Sequence, residues 1–239
     1  LRARAGRLSL RLVTPSADMR YGGFGAGHEF GLAGAAGADG RAVRTDDVVL
    51  GMGERYDALI DAKGSGVARI IGIPLGKSGR AVGLLRYADA KGRAPASNAP
   101  LRMPRRVLSY EDLRPADNAV LPKLDDAPRV IRLDLAMRRG HYVWKIGGQA
   151  FSKADPVRVR RGESVRFVMR NRTMMPHPMH LHGHSFRVGG RGPLKDTVLA
   201  LPMRELELDW VADNPGTWAY HCHNAYHQEA GMMRRVEVT

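Results

Sequence analysis

Cysteine is nearly absent from this chain: Cys222 is the sole example in 239 residues. No intramolecular disulfide can form, so the thiol has to be explained by its own chemistry. Long apolar runs are also lacking. Hydrophobic residues make up 44% of the chain, but they come in short stretches that never approach the roughly 18 consecutive positions of a membrane helix, which excludes a helical membrane span. Long amphipathic helical patterns are scarce too, while 28 Gly and 14 Pro interrupt the sequence at close intervals. These features predict many short strands joined by turns. Acidic side chains are outnumbered, 24 against 38 Lys and Arg, for a net charge of +14. The basic residues are scattered, and clusters such as Arg102, Arg105 and Arg106 fall in a Pro-rich connection. The excess charge is a solvated basic surface, with no nucleic-acid site and room for anionic partners.

The length suits two domains of roughly 100 to 120 residues each. Residues 7–13 alternate apolar and polar, as do Arg55 to Asp61 after the Gly51-Met52-Gly53 turn, Val67 to Ile73 and Ala81 to Tyr87. Between them, Tyr21 to Gly40 is rich in Gly and Ala. Residues 94–127 carry repeated prolines, mixed charge and little periodicity, and are expected to connect a first domain at 1–93 with a second at 128–239. The second domain opens on Ile131, Leu133, Leu135 and Met137 at period two. It continues through Tyr142 to Ile146, Val157 and Val159, Val165 to Met169, Leu206 to Trp210, and Trp218 to Tyr220. Alternation of this kind, broken by Gly turns, predicts an all-β protein of two antiparallel Greek-key β-sandwich domains. The chain starts at Leu1 with neither an initiator Met nor a signal peptide and runs straight into a strand, as expected of a chain missing its beginning.

Seven of the nine histidines lie between His177 and His227. One segment is His177-Pro178-Met179-His180-Leu181-His182-Gly183-His184, and the other is His221-Cys222-His223-Asn224-Ala225-Tyr226-His227, followed by Gly231-Met232. In a strand, His221 and His223 project to one face and Cys222 to the other, so one tripeptide can serve two metal sites. On the Cys222 side, His227 and Met232 follow at loop spacing, and His177 is the candidate fourth ligand, set apart from His180 and His182 by a break at Pro178. Two His, one Cys and a weak axial Met describe a blue-copper site for electron transfer. On the other side, the pairs His180/His182 and His221/His223 offer four imidazoles without a thiolate, suited to copper that handles oxygen. Cys222 is bonded directly to both flanking histidines, a short route between the two sites.

These two segments resemble the C-terminal copper signatures of the multicopper oxidases. Gly53-Glu54-Arg55-Tyr56-Asp57 is similar to the family's middle domain, and Trp144-Lys145-Ile146-Gly147-Gly148 and Lys195-Asp196-Thr197-Val198 are similar to its last domain. The resemblance implies two cupredoxin-like domains, with His177, Cys222, His227 and Met232 holding type 1 copper. It further implies His180 on type 2 copper and His182, His221 and His223 on the type 3 pair. In the family that trinuclear cluster also takes two His-x-His pairs from an N-terminal domain. Only His28, His141 and His184 remain here, all unpaired, so the chain is expected to hold half a cluster, completed by an N-terminal cupredoxin domain or a second chain. The implied reaction is laccase-like: one-electron oxidation of a phenol, aromatic amine or metal ion at the edge of His227, transfer through Cys222 to His221 and His223, and reduction of dioxygen to water. Family habit implies a periplasmic or secreted location. Gln228 stands where many bacterial members carry a proton-delivering Glu, so either Glu229, Asp196 or a residue of the missing domain takes that role or the proton path differs.

Rival readings explain less. A zinc hydrolase would use the His-x-His pairs but wants a nearby Asp ligand and leaves the Cys-His-Met loop unexplained. An electron-carrying module without oxidase activity has no need of four histidines beyond Cys222, and a nitrite-reductase-like enzyme with type 1 and type 2 copper has no need of the type 3 pair. His184 is assigned to packing or to support of the ligands, and His28 and His141 are read as surface or hydrogen-bonded residues. Met174, Met175, Met179 and Met203 are expected to fill core space rather than to form a methionine surface for Cu(I).

Overall fold

The computed structural model describes residues 2–3, 6–17, 21–26, 30–35, 38–45, 47–62, 66–87, 90, 93–98, 106–117, 119 and 121–239. His28, Arg102 and Arg105 lie outside the described residues. The first half contains β1 (Arg2–Ala3), β2 (Gly6–Val13), β3 (Tyr21–Ala26), β4 (Phe30–Ala35), β5 (Ala38–Thr45), β6 (Asp47–Leu50), β7 (Arg55–Ala62), β8 (Val67–Pro74) and β9 (Ala81–Tyr87). They form two sheets, ordered β2-β7-β4-β5 and β1-β9-β8-β3-β6.

The second half contains β10 (Arg129–Arg132), β11 (Leu135–Met137), β12 (Trp144–Ile146), β13 (Val157–Val159), β14 (Ser164–Arg170), β15 (His177–Leu181) and β16 (Phe186–Val188). It continues with β17 (Leu194–Lys195), β18 (Thr197–Ala200), β19 (Glu205–Val211), β20 (Gly216–Cys222), the α-helix α1 (Ala225–Glu229) and β21 (Met233–Val238). Its sheets run β10-β14-β19-β16-β17 and β13-β21-β20-β15-β18, with β11 and β12 paired separately. Most pairs are antiparallel, and the jumps in strand order are those of Greek-key sandwiches. Among the described residues no helix is long and apolar enough to cross a membrane.

Period-two patterning locates the second core. Val165, Phe167 and Met169 of β14 are fully buried with Leu208 and Trp210 of β19, and Met179, Leu181 and Tyr220 close the layer from the facing sheet. The Phe167 ring meets Trp210 and Tyr220 at 5.3 Å each. Two features depart from simple alternation. The apolar series from Ile131 to Met137 is cut into β10 and β11, because the chain leaves one sheet for another at Leu133 and Asp134. The Gly-rich stretch after Tyr21 carries β3, β4 and the start of β5. Glycine weakens a strand, but β3 and β4 are each paired on both sides, which supplies from neighbours what local propensity lacks.

The two sandwiches meet over a buried polar cluster. Glu54, from the turn before β7, is 1% exposed, and Lys195 of β17 is fully buried. The Lys195 ammonium lies 3.0 Å from Glu54 Oε1 but off the hydrogen-bonding direction, so the contact is chiefly Coulombic, with the Tyr56 ring face 4.1 Å away on another side. Tyr110 donates to Glu54 Oε1 at 2.7 Å and accepts from the Leu199 amide at 2.6 Å. Removing one partner of a buried pair strands the other charge. Glu54→Ala is therefore expected to cost about 3–5 kcal/mol of stability in chemical denaturation, while Arg158→Ala, at an exposed pair with Glu237, leaves the transition unmoved.

Candidate metal centre

β20 lies between β15 and β21. Its register with β15 sets Cys222 opposite Met179 and His221 opposite His180, and the His223 amide extends the ladder by donating to the Pro178 carbonyl at 2.6 Å. Cys222 and Met179, both fully buried, face the core. His221 and His180 take the opposite face by alternation. The same parity places His177 with Cys222. His177 and Pro178 are both inside an unbroken β15, so alternation alone, and no break at Pro178, separates His177 from His180; the expected break is corrected.

His227 comes back over Cys222 on α1, a helix that sequence periodicity did not reveal. The Asn224 side chain caps it, accepting from the Tyr226 and His227 amides at 3.1 and 3.3 Å. Met232, fully buried, is tied to both neighbours through the backbone: its amide donates to His227 O at 2.9 Å, and its carbonyl accepts from the Cys222 amide at 3.0 Å.

The thiol and two imidazoles converge. Cys222 Sγ lies 3.8 Å from His177 Nδ1 and 3.6 Å from His227 Nδ1, and the two nitrogens are 3.0 Å apart. Bonds of about 2.0–2.3 Å reach a common centre from atoms so spaced. His177 Nε2 lies 2.8 Å from Thr173 Oγ1, whose own hydrogen has Asn171 Oδ1 and the Met175 carbonyl as acceptors. Nε2 therefore carries the proton and Nδ1 keeps its lone pair towards Cys222. No carboxylate belongs to this trio. Two imidazoles and a thiolate, with Met232 close at hand, fit copper in a type 1 site. Trp144 packs over both rings, with centroids 4.9 Å from His177 and 4.2 Å from His227. His227 is 1% exposed. Tyr142, which is 57% exposed, lies between its ring and the surface, 6.4 Å from His227 and edge-on to Trp144 at 5.8 Å.

On the far face the other four histidines form a looser group, with ring centroids 4.6–5.7 Å apart. His180 Nδ1 donates to the Asp196 carbonyl at 2.8 Å, and His221 Nδ1 to the Cys222 carbonyl at 3.0 Å. A carbonyl only accepts, so both rings offer Nε2 instead. His221 Nε2 lies 3.0 Å from His182 Nε2. His221 is buried, His180 and His223 are half-buried and His182 is exposed, so the group opens towards the surface.

The remaining residues fall outside both groups. His184 packs against Trp210 and Trp218 and holds the His182 carbonyl through Nδ1 at 3.2 Å. His141 is exposed. Burial raises the Asp196 carboxyl, and the Arg55 guanidinium more than reverses this, leaving it below its usual range, with both carboxylate oxygens accepting from Arg55. The methionines require a correction. Met179 is core, but Met174, Met175 and Met203 are 79%, 44% and 61% exposed, because the 171–176 and 201–204 loops turn outwards at the His177 end of the sheet.

A sequence profile described as multicopper oxidase matches residues 126–239. The multicopper oxidase MmcO of Mycobacterium tuberculosis is 34% identical over 97% of this chain and 46% of its own length. A copper resistance protein A homolog of Pseudomonas syringae pv. tomato is 40% identical over 56% of this chain and 23% of its own length. The laccase of Botrytis aclada superposes with a TM-score of 0.83 at 19% identity, covering 99% of this chain and 53% of that one, a likeness of fold. Residues 126–239 form a domain of the multicopper oxidase family, whose members are copper-dependent oxidoreductases that use dioxygen. The chain spans about half the length of the first of these relatives and less of the second.

Burial fixes how the trio takes up metal. It lowers His177 to about 3, with the charge of His227 adding to the effect, lowers His227 to about 4, and pushes the Cys222 thiol up to about 12. Near neutral pH both rings are neutral and the thiol keeps its proton, so metal uptake expels one proton, from Cys222. Copper affinity at this site is expected to rise about tenfold per pH unit across the neutral range, measured by chelator competition. A flat profile would exclude the thiolate as a ligand.

Proposed function

We propose that this chain is the copper-bearing part of a laccase-like multicopper oxidase, with residues 1–93 as its middle domain, 94–127 as the connection and 128–239 as its last domain. The observation that carries the proposal is the division at β20: the Cys222–His177–His227 trio on one face and His180, His182, His221 and His223 on the other. In this reading His177, Cys222, His227 and Met232 hold type 1 copper, His180 the type 2 copper, and His182, His221 and His223 the type 3 pair, the set being completed by an N-terminal cupredoxin domain or second chain. Bound copper supplies one-electron oxidation of a small reductant on the thiolate side and four-electron reduction of dioxygen to water on the histidine side.

The chain's own residues prepare both sides. Thr173 fixes the aim of His177, and Trp144 with Tyr142 shields His227 from water while linking its ring to the surface. Cys222 bridges the two faces by covalent bonds to its neighbours. By family resemblance the protein works in the periplasm or outside the cell. Copper-loaded protein is expected to show a thiolate-to-copper band that Cys222→Ser abolishes, with oxygen uptake appearing only when the N-terminal domain is supplied. A band without oxygen uptake after that addition would leave an electron-transfer module, and stoichiometric zinc without a band would remove the copper assignment.

Among phenols, aromatic amines and metal ions, the exposed thioethers favour a soft metal ion. Met174 and Met175 follow Thr173, the residue bonded to His177, and the Met203 turn reaches them through Asn171, which donates to the Ala200 carbonyl at 3.1 Å. Thioethers select Cu(I), and the relative named for copper resistance accords with such a reductant. Replacing Met174, Met175 and Met203 together by Leu is expected to raise KM for Cu(I) several-fold in the completed enzyme and to leave phenol oxidation unchanged. Equal effects on both substrates would count against Cu(I).

A further inference from the structure

Two motifs from opposite halves of the sequence, around Arg55 and around Asp196, meet beside the four-histidine group. Arg55 spans the junction. Its Nη1 and Nη2 donate to Asp196 Oδ1 and Oδ2 at 2.7 and 2.8 Å, and Nη1 donates also to the Gly53 carbonyl at 3.1 Å. Each of these partners supports a different histidine. The Asp196 carbonyl accepts from His180 Nδ1 at 2.8 Å, and Thr197 Oγ1, which donates to Asp196 Oδ1 at 3.0 Å, lies 3.0 Å from the same nitrogen. Gly53 lies flat against the ring of His223: a Cβ added there would fall 2.5 Å from Cδ2 and 2.7 Å from Nε2. Its φ of +79° likewise favours glycine. The crossing is doubled by charge, because the neighbouring residues Glu54 and Lys195 form the buried pair at the same junction.

We infer that Arg55 is a positioning residue for the four-histidine group. It holds His180 and His223 in fixed relation from a sandwich that provides none of the ligands assigned above. The inference rests on reading those histidines as copper donors. A ligand histidine needs its remote N–H anchored, and a bidentate guanidinium is the side chain that fixes a carboxylate in both distance and plane. Arg55 thereby anchors the residue whose carbonyl orients His180, and the same fork holds the turn on which the His223 ring rests. Lysine keeps the charge but cannot span both carboxylate oxygens and the Gly53 carbonyl in one plane.

The test compares Arg55→Ala and Arg55→Lys with the unaltered protein after copper loading with the N-terminal domain supplied, reading the affinity and EPR hyperfine splitting of the non-thiolate copper beside the thiolate band of Cys222. Arg55→Ala is expected to weaken the non-thiolate copper about tenfold or more and to change its hyperfine splitting, with Arg55→Lys intermediate and the thiolate band at full intensity in both. Arg55→Lys keeps the test readable if alanine costs the fold. Unchanged affinity and splitting in both variants would overturn the inference and leave the functional reading intact. A parallel loss of the thiolate band would also overturn it, reducing Arg55 to a residue of general stability. If the unaltered protein takes up no non-thiolate copper even with the N-terminal domain supplied, the functional reading fails and this inference with it.

Discussion

The metal centre depends on the hydrogen-bonded register between β15 and β20. With Met179 opposite Cys222 and His180 opposite His221, each rung of the ladder sends one residue of each strand to the same face. The thiolate side and the imidazole side are consequently two faces of one sheet. A slip of one residue in either strand would exchange those faces. The fully buried aromatic layer of Phe167, Trp210 and Tyr220 beneath the sheet makes that exchange prohibitive, since it would turn histidines into the core and apolar side chains outwards.

Around this register the protein spends its polar groups on aiming rings. Thr173 leaves His177 its Nδ1, whereas two backbone carbonyls leave His180 and His221 their Nε2. On the Cys222 side His177 thus presents its near nitrogen, and on the far side His180 and His221 present the remote one. The near nitrogen keeps ligands tight and buried, here with Nδ1 atoms 3.0 Å apart. The remote nitrogen extends reach, which suits a group that opens to the surface and has room for donors from elsewhere.

Much of this was legible in sequence wherever chemistry is local. The parity of His221, Cys222 and His223 is a property of any strand, and alternation in β2, β7, β8, β9, β14 and β19 marked those strands. Long-range effects were hidden. The pairing that stabilises the Gly-rich β3 and β4 comes from strands distant in sequence. The outward turn of Met174, Met175 and Met203 depends on how two loops leave a sheet edge, and a methionine looks the same in sequence whether it fills a core or lines a surface. The meeting of Arg55 with Asp196 joins residues 141 positions apart, which no periodicity reports. The Asn224 cap of α1 was a missed local signal, since Asn before a short polar segment is a helix start.

Cys222 lies in a strand paired on both sides, and its links to His221 and His223 are ordinary peptide bonds. The spacing between the two faces is thus governed by bond lengths and strand pleat rather than by the contacts of any particular core. A sequence could drift at nearly every other position, as the 19% identity to the Botrytis aclada laccase of the same fold illustrates, without changing that spacing. What remains open to variation is the character of the two faces: how tightly the side chains of each are held, and how far each opens to the surface.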